Sequence, residues 1–282
     1  MFQLVYAVLC DLHKEVQAEF GDEADGQIKQ AISQLSSSYS RLGLATEPTI
    51  DYSSPSTRFA YVYKYVATHA DYVRQVFEMY SEYIDQQILA KAKPVVSCLG
   101  GGPGSELLGL LQYVLSNDER KTESLTCYLC DREQAWADSW TELGGQLEGD
   151  INLYVNFQPL DVTNPSSWAK QRKFLGADLF ISCYFASEIA RLEDKTVAFW
   201  EELGASIKVG AKIVFIDNNS PMFVEYIQNI AKHCGLTTLD ESTVDMYPRS
   251  LEQKSDFKEF LDKFGQSPKL KSKIFYGVYT KE

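Results

Sequence analysis

Pro94-Val95-Val96-Ser97-Cys98-Leu99-Gly100-Gly101-Gly102-Pro103-Gly104-Ser105-Glu106 carries an apolar run into four glycines within five residues. An apolar-periodic segment, Glu106 to Leu115, follows at once. Strand, glycine turn and helix in that order bring bare backbone up to a nucleotide-like ligand, because only glycine permits both the positive φ angles and the close approach. The stretch predicts an α/β fold with its ligand at the turn.

Outward from there the chain keeps alternating. Strands are expected at 94–99, 124–130, 151–157, 177–183 and 211–217, with helices at roughly 104–116, 132–143, 164–172, 194–208 and 220–233. Five β-α units in succession imply a largely parallel sheet with helices on both faces. Past Gly235 two last strands are expected, Leu236 to Leu239 and Lys273 to Tyr279, around a polar, partly helical segment from Glu241 to Ser272. Upstream, residues 1–42 read as two helices, and a loop from Leu44 to Thr57 leads into a long helical stretch from Arg58 to about Ala92. This divides the chain into a helical N-terminal cap, 1–56, and a main domain, 57–282, whose leading helix is 57–92.

Composition bounds the function. The 282 residues are 45% hydrophobic and 23% charged, which suits a folded soluble protein with a large core. A net charge of −12 repels polyanions, so nonspecific DNA binding and anionic membrane surfaces are disfavoured. Structured RNA stays open, because a local basic patch can act against the global sign. The six cysteines are scattered and read as reduced thiols of an intracellular protein, cytoplasmic or nuclear. Cys127-x-x-Cys130 resembles half a zinc site, but it falls on an expected strand where residues three apart face opposite sides. No metal is expected.

The turn itself discriminates between ligands. A dinucleotide fingerprint reads G-x-G-x-x-G, whereas here Ser105 fills the third slot and the spacing is Gly100, Gly102, Gly104. Glu106 in the first helical turn is a poor neighbour for a pyrophosphate. The ligand is therefore expected to be cationic or zwitterionic. Asp131 ends the second strand, where a carboxylate can accept both ribose hydroxyls of an adenosine. Asp161, just past the third strand, suits an adenine amine, with Val162 packing beside the ring. Strand-end aspartates also cap helices, so each alone is weak evidence.

Together these residues resemble the class I S-adenosylmethionine-dependent methyltransferases across about residues 90–282. The resemblance implies a Rossmann-like, seven-stranded, mostly parallel sheet whose last strand is antiparallel, flanked by helices and here joined to the helical cap. It implies S-adenosyl-L-methionine as cofactor, the ribose on Asp131, the adenine on Asp161 and Val162, and Ser182 to Phe185 closing the site. The family's acidic residue ahead of the glycines is replaced by Cys98, so Glu106 or an N-terminal residue is expected to grip the methionine amino group. A looser likeness to eukaryotic ribosomal-RNA methyltransferases rests on the G-G-G-P-G turn and Ser187-Glu188.

Methyl transfer from a sulfonium needs alignment and, for some acceptors, a base. Tyr184 is a candidate to stack on the acceptor and Glu188 a candidate base, with helix packing and a surface glutamate as the plain alternatives. Tyr61, Tyr63 and Tyr65, interleaved with Arg58 and Lys64, could face a base or phosphate or pack on the sheet. The C-terminal lysines, Lys254, Lys258, Lys263, Lys269, Lys271 and Lys273, form a candidate RNA-facing edge or a solvated face. The acceptor, an N or O atom on RNA or a small molecule, stays open, and so does a noncatalytic adenosylmethionine-binding sensor or partner subunit. Ser105 and Glu106 disfavour a nicotinamide dehydrogenase.

Overall fold

A computed structural model describes residues 2–42, 50–138, 151–249 and 257–282. The seven strands are β1 Val95–Leu99, β2 Ser124–Asp131, β3 Asn152–Pro159, β4 Leu179–Cys183, β5 Lys212–Asn218, β6 Thr237–Met246 and β7 Ser272–Thr280. They form one sheet in the order β3-β2-β1-β4-β5-β7-β6. β1 to β5 run parallel, and β7 is antiparallel to both β5 and β6. The order reverses between β1 and β4, which opens a crevice at the carboxyl ends of those two strands.

Burial explains the strand sequences. β1, β4 and β5 are covered on both faces and read as nearly continuous apolar runs. At the edge, β3 alternates exposed Asn152, Tyr154 and Asn156 with half-buried Leu153, Val155 and Phe157. Cys127 and Cys130 point into opposite core layers, and no group of potential metal ligands exists among the described residues. No described helix is long and apolar enough to cross a membrane.

The helices are α1 Phe2–Phe20, α2 Ala24–Tyr39, α3 Pro55–Tyr61, α4 Ala67–Met79, α5 Ser81–Ile84, α6 Ser105–Leu115, α7 Ala186–Ile189, α8 Glu193–Ser206, α9 Pro221–His233 and α10 Lys258–Phe264. A π-helical stretch, Val62–Val66, joins α3 to α4. α1 buries Phe2, Val5, Leu9, Leu12 and Val16 on one stripe, in one continuous core with α3, α4 and the sheet. α10 closes on it: Phe2 meets Phe257 at 5.1 Å between ring centroids, and Tyr6 donates to Glu259.

Three expected elements differ. The helix from Arg58 stops at Met79 rather than about Ala92, because the carbonyls of Ile88, Leu89 and Ala92 are taken by Thr122, Lys121, Glu123 and Ser124. No α-helix forms over 164–172. Asn164 caps a short 3-10 turn, Pro165–Ser167, and the polar run Lys170 to Lys173 has no apolar stripe to bury. β6 extends to Met246, well past Leu239, because β7 offers a partner along its whole length. The helix expected at 132–143 is helical at 136–138, and residues 139–143 lie outside the described residues.

Candidate functional site

The glycine turn lies where the sheet order reverses. Gly100, Gly102 and Gly104 have φ of +67°, +42° and +85°. At Gly100 a Cβ would stand 2.2 Å from the Phe185 ring, so the turn and the end of β4 pack in direct contact. Every backbone donor of the turn is occupied internally. Gly100 and Gly101 both donate to the Cys130 carbonyl (2.9 and 3.1 Å), Gly104 to Gly101 (2.7 Å) and Gly102 to Asp131 Oδ2 (2.9 Å). Pro103 has no N–H. The turn can approach a ligand closely but has no free N–H with which to cradle a phosphate.

Asp131 ends β2 beside this turn. Its Oδ2 accepts Gly102 and its Oδ1 accepts Glu133 N–H at 2.8 Å, leaving each oxygen a lone pair for a ligand. Burial pushes its carboxyl up to about 6, against the pull of those two hydrogen bonds. Asp161 sits just past β3, where its carboxylate accepts the Thr163 N–H (2.9 Å) and hydroxyl (2.7 Å). Val162 is buried in the core layer that holds Leu160 and Trp168.

Glu106, in the first turn of α6, is 2% exposed, and burial raises its carboxyl well above the usual range. The backbone N–H groups of Glu106 and Cys183 hold it, and Asp131 and Glu188 add repulsion. Ser182 is fully buried in β4 with its hydroxyl unpaired.

Glu188 stands on α7 at the mouth of the crevice. Asp217, ending β5, holds that short helix by accepting the Ser187 N–H at 2.9 Å. Tyr39 donates to Glu188 Oε1, and Tyr52 lies 3.4 Å from the same oxygen and 2.6 Å from the Tyr39 hydroxyl. Glu188 is exposed to solvent, with Tyr39, Tyr52, Asp131 and Asp217 around its carboxyl. Desolvation there, with repulsion from Asp131 and Asp217, pushes its carboxyl up to about 7 against the Tyr39 bond. Asp217 itself rises to about 6 through burial.

Aromatic rings roof the site. Trp136 packs on Tyr52 and Tyr61 at 5.5 and 5.6 Å, and its Nε1 would lie 3.9 Å from a Cβ on Gly102. Tyr61 thus joins the site. Tyr63 instead turns into the α10 core and donates to the Gln266 carbonyl. Tyr65 stacks on His69.

Tyr184 has φ +59° in the left-handed region, and its ring is stacked on His69 at 4.1 Å and 14°. Lys269 Nζ stands 5.4 Å over the Tyr184 ring. Tyr184 is therefore part of a fixed stack, and the His69 imidazole, desolvated and near Lys269, has a depressed pKa and is neutral. Of the other lysines, Lys263 pairs with Asp25 and Lys271 with Asp245, while Lys254 lies outside the described residues.

Sequence reasoning had no reading of Tyr39, Tyr52, Trp136 or Asp217 as site residues. Asp217 carries a usable signal, an acid ending an apolar strand as Asp131 does. The tyrosines carry none beyond an aromatic-rich chain. The surface concavities of about 770 Å³ near Arg120 and Thr122 and about 560 Å³ near Pro221 and Glu241 lie apart from the glycine turn.

No protein-family model matches the chain, and no curated protein does. Among solved structures, the chain is similar to an S-adenosylmethionine-dependent methyltransferase from Clostridium acetobutylicum, at 12% identity and a TM-score of 0.45, over 88% of this chain and 98% of that one. A Pyrococcus horikoshii protein provisionally described as an RNA methyltransferase aligns at 16% identity and a TM-score of 0.45, over 89% and 95%. A cyclopropane-fatty-acyl-phospholipid synthase-like protein from Lactobacillus casei aligns at 12% and 0.43, over 76% and 92%. Such distant likenesses concern the fold alone.

Proposed function

We propose that this chain binds S-adenosylmethionine at the Gly100–Gly104 turn and transfers its methyl group to a nitrogen or oxygen acceptor. The observation that carries the reading is the turn whose donors are all occupied beside a carboxylate with free lone pairs. A diphosphate finds no free N–H within residues 100–104 and the buried Glu106 carboxyl just past them, whereas an adenosine finds close backbone and Asp131 for its ribose hydroxyls. A sulfonium finds aromatic faces and the carboxylates of Asp131, Glu188 and Asp217, a field that favours a cation.

In this reading Asp161 and Val162 line the adenine side, and Gly100, Gly102 and Gly104 allow the donor's close approach. Glu106 and Ser182 lie beneath the methionine end. Glu188 is the general base. A carboxyl near 7 is poised to take a proton from an acceptor at neutral pH, and Tyr39 and Tyr52 orient it. Tyr184 supports the acceptor side through its stack on His69 rather than by a free face. The acceptor is an RNA base or a small molecule.

Calorimetry tests the donor. Micromolar binding of S-adenosylhomocysteine and none of NAD is expected, with Asp131→Ala abolishing it; NAD binding instead would sink the proposal. A labelled-methyl screen of total RNA and a metabolite extract then identifies the acceptor. Binding without labelling of either would move a ligand sensor ahead of an enzyme.

A further inference from the structure

Lys269 is a half-buried cation whose ammonium faces an aromatic ring rather than an acid. Its Nζ makes no ion pair and no hydrogen bond among the described residues; its recorded neighbour is the Tyr184 ring at 5.4 Å. The backbone around it is nevertheless fixed. Lys269 N–H donates to the Lys64 carbonyl at 3.0 Å, and Thr68 Oγ1 donates to the Lys269 carbonyl at 2.7 Å. Two and three residues earlier, Lys64 Nζ and Tyr63 Oη donate to the carbonyls of Ser267 and Gln266, both at 2.7 Å. Four bonds pin this segment to the α3–α4 helix, and Lys269 is half-buried at its tip.

The ring beneath it is equally committed. Tyr184 is 4% exposed, carries an unpaired hydroxyl and stacks on His69, whose Nε2 is also unpaired and buried. Tyr184 follows β4 directly, and its neighbour Phe185 is the residue pressed against Gly100. The ammonium therefore stands one ring away from the segment that meets the glycine turn. Burial lowers its pKa, and of the charges acting on it Asp217 attracts it while Lys64 repels it. Holding a partly desolvated ammonium in place without an anion is unfavourable unless a ligand supplies one.

We infer that Lys269 is the counter-ion for the α-carboxylate of the donor's amino-acid end. The inference rests on the donor proposed above and deepens it. A zwitterionic tail needs both signs, and the cleft supplies acids for the ammonium and, in Lys269, an unpaired cation for the carboxylate. This assigns a basic residue on the segment before β7, beyond the glycine turn, to donor recognition.

The test compares S-adenosylhomocysteine with 5′-methylthioadenosine, which keeps the adenosine and thioether but lacks the amino acid. Both are titrated into the wild-type chain, Lys269→Met and Lys269→Arg. Lys269→Met should weaken S-adenosylhomocysteine by about 10- to 100-fold, as for loss of a charged hydrogen bond, and leave methylthioadenosine unchanged. Lys269→Arg should restore most of the loss. Unchanged methylthioadenosine affinity also reports that the variant is folded. Equal weakening of both ligands, or of neither, overturns the inference while leaving the donor proposal standing. A wild-type chain that binds neither ligand overturns the donor proposal itself. Lys269→Met that binds S-adenosylhomocysteine normally but loses methyl transfer assigns the lysine to the acceptor instead, and overturns the inference.

Discussion

Gly100→Ala and Gly102→Ala are the same chemical change two residues apart, and the structure assigns them different consequences. Both residues have positive φ, so each alanine incurs about 1–2 kcal/mol of left-handed strain. At Gly100 the new Cβ would also meet Phe185 Cδ2, Cγ and Cβ at 2.2, 2.3 and 2.6 Å. These atoms sit close to the Phe185 backbone and cannot swing away, so overpacking adds about 1–3 kcal/mol. At Gly102 the nearest atoms are 3.8 Å or more away, and nothing is added. Gly100→Ala should therefore cost about 2–5 kcal/mol in all, and Gly102→Ala only the strain. At about 2 °C per kcal/mol for a chain of this size, thermal midpoints should fall by roughly 4–10 °C and 2–4 °C. The ligand responses should invert, because the Gly102 Cβ would project between Asp131 and Trp136. Gly102→Ala should weaken S-adenosylhomocysteine more than its small stability loss suggests. Thermal melts and urea titrations of Gly100→Ala, Phe185→Ala and the double variant give the decisive reading. Removing the ring should cost much less in the alanine background, with a coupling of about 1 kcal/mol or more. Additive losses would mean that Phe185 does not press on the turn, and the reasoning would fail.

Other perturbations follow from the same contacts. Gly109→Ala should destabilise by about 1–3 kcal/mol despite alanine's better helix propensity, because its Cβ would lie 2.3 Å from the Ala70 carbonyl oxygen where α6 crosses α4; a raised melting point would contradict that crossing. Stability without ligand should fall as pH rises from about 4.5 to 7, because Glu188 and Asp217 hold their protons more tightly folded than unfolded. Glu188→Gln should flatten that decline in urea titrations at pH 5 and pH 8, and an unchanged slope would show that Glu188 is not its source. Asp178 has a depressed pKa, held by the Val95 N–H, Lys91 and Lys208, and contributes the opposite trend only below about pH 4. Tyr39→Phe removes the donor that favours ionised Glu188, so the carboxyl should titrate higher; carbon NMR of labelled glutamate reads this, and an unmoved midpoint would exclude the bond in solution.

The parallel half of the sheet was legible because β1, β2 and β5 are largely apolar runs ended by glycine or an acid and β4 is an almost unbroken apolar run, and local pattern and tertiary burial agree there. The glycine turn and Asp131 were legible for the same reason. Legibility failed where distant partners decide. The 85–92 segment is drawn out of helix by residues 121–124, and β6 grows to Met246 because β7 lies alongside. The roof over the site was illegible: Tyr39, Tyr52 and Trp136 meet across about 100 positions, and no local spacing announces that meeting.

The packing of α1 and α2 against α10 has a consequence for how the chain is made. Phe2 meets Phe257, His13 meets Phe260 at 6.2 Å, and Asp25 pairs with Lys263, so partners stand about 240–255 positions apart. At about 5–20 residues per second, the first helices wait on the order of 10–50 s for theirs to be synthesised. Through that interval part of the apolar stripe of α1 has nothing of its own to cover it. Until the segment carrying α10 has been made, that stripe must find provisional shelter on α3 and α4 or on a chaperone, whereas the roof of Tyr39, Tyr52, Tyr61 and Trp136 needs nothing beyond residue 136.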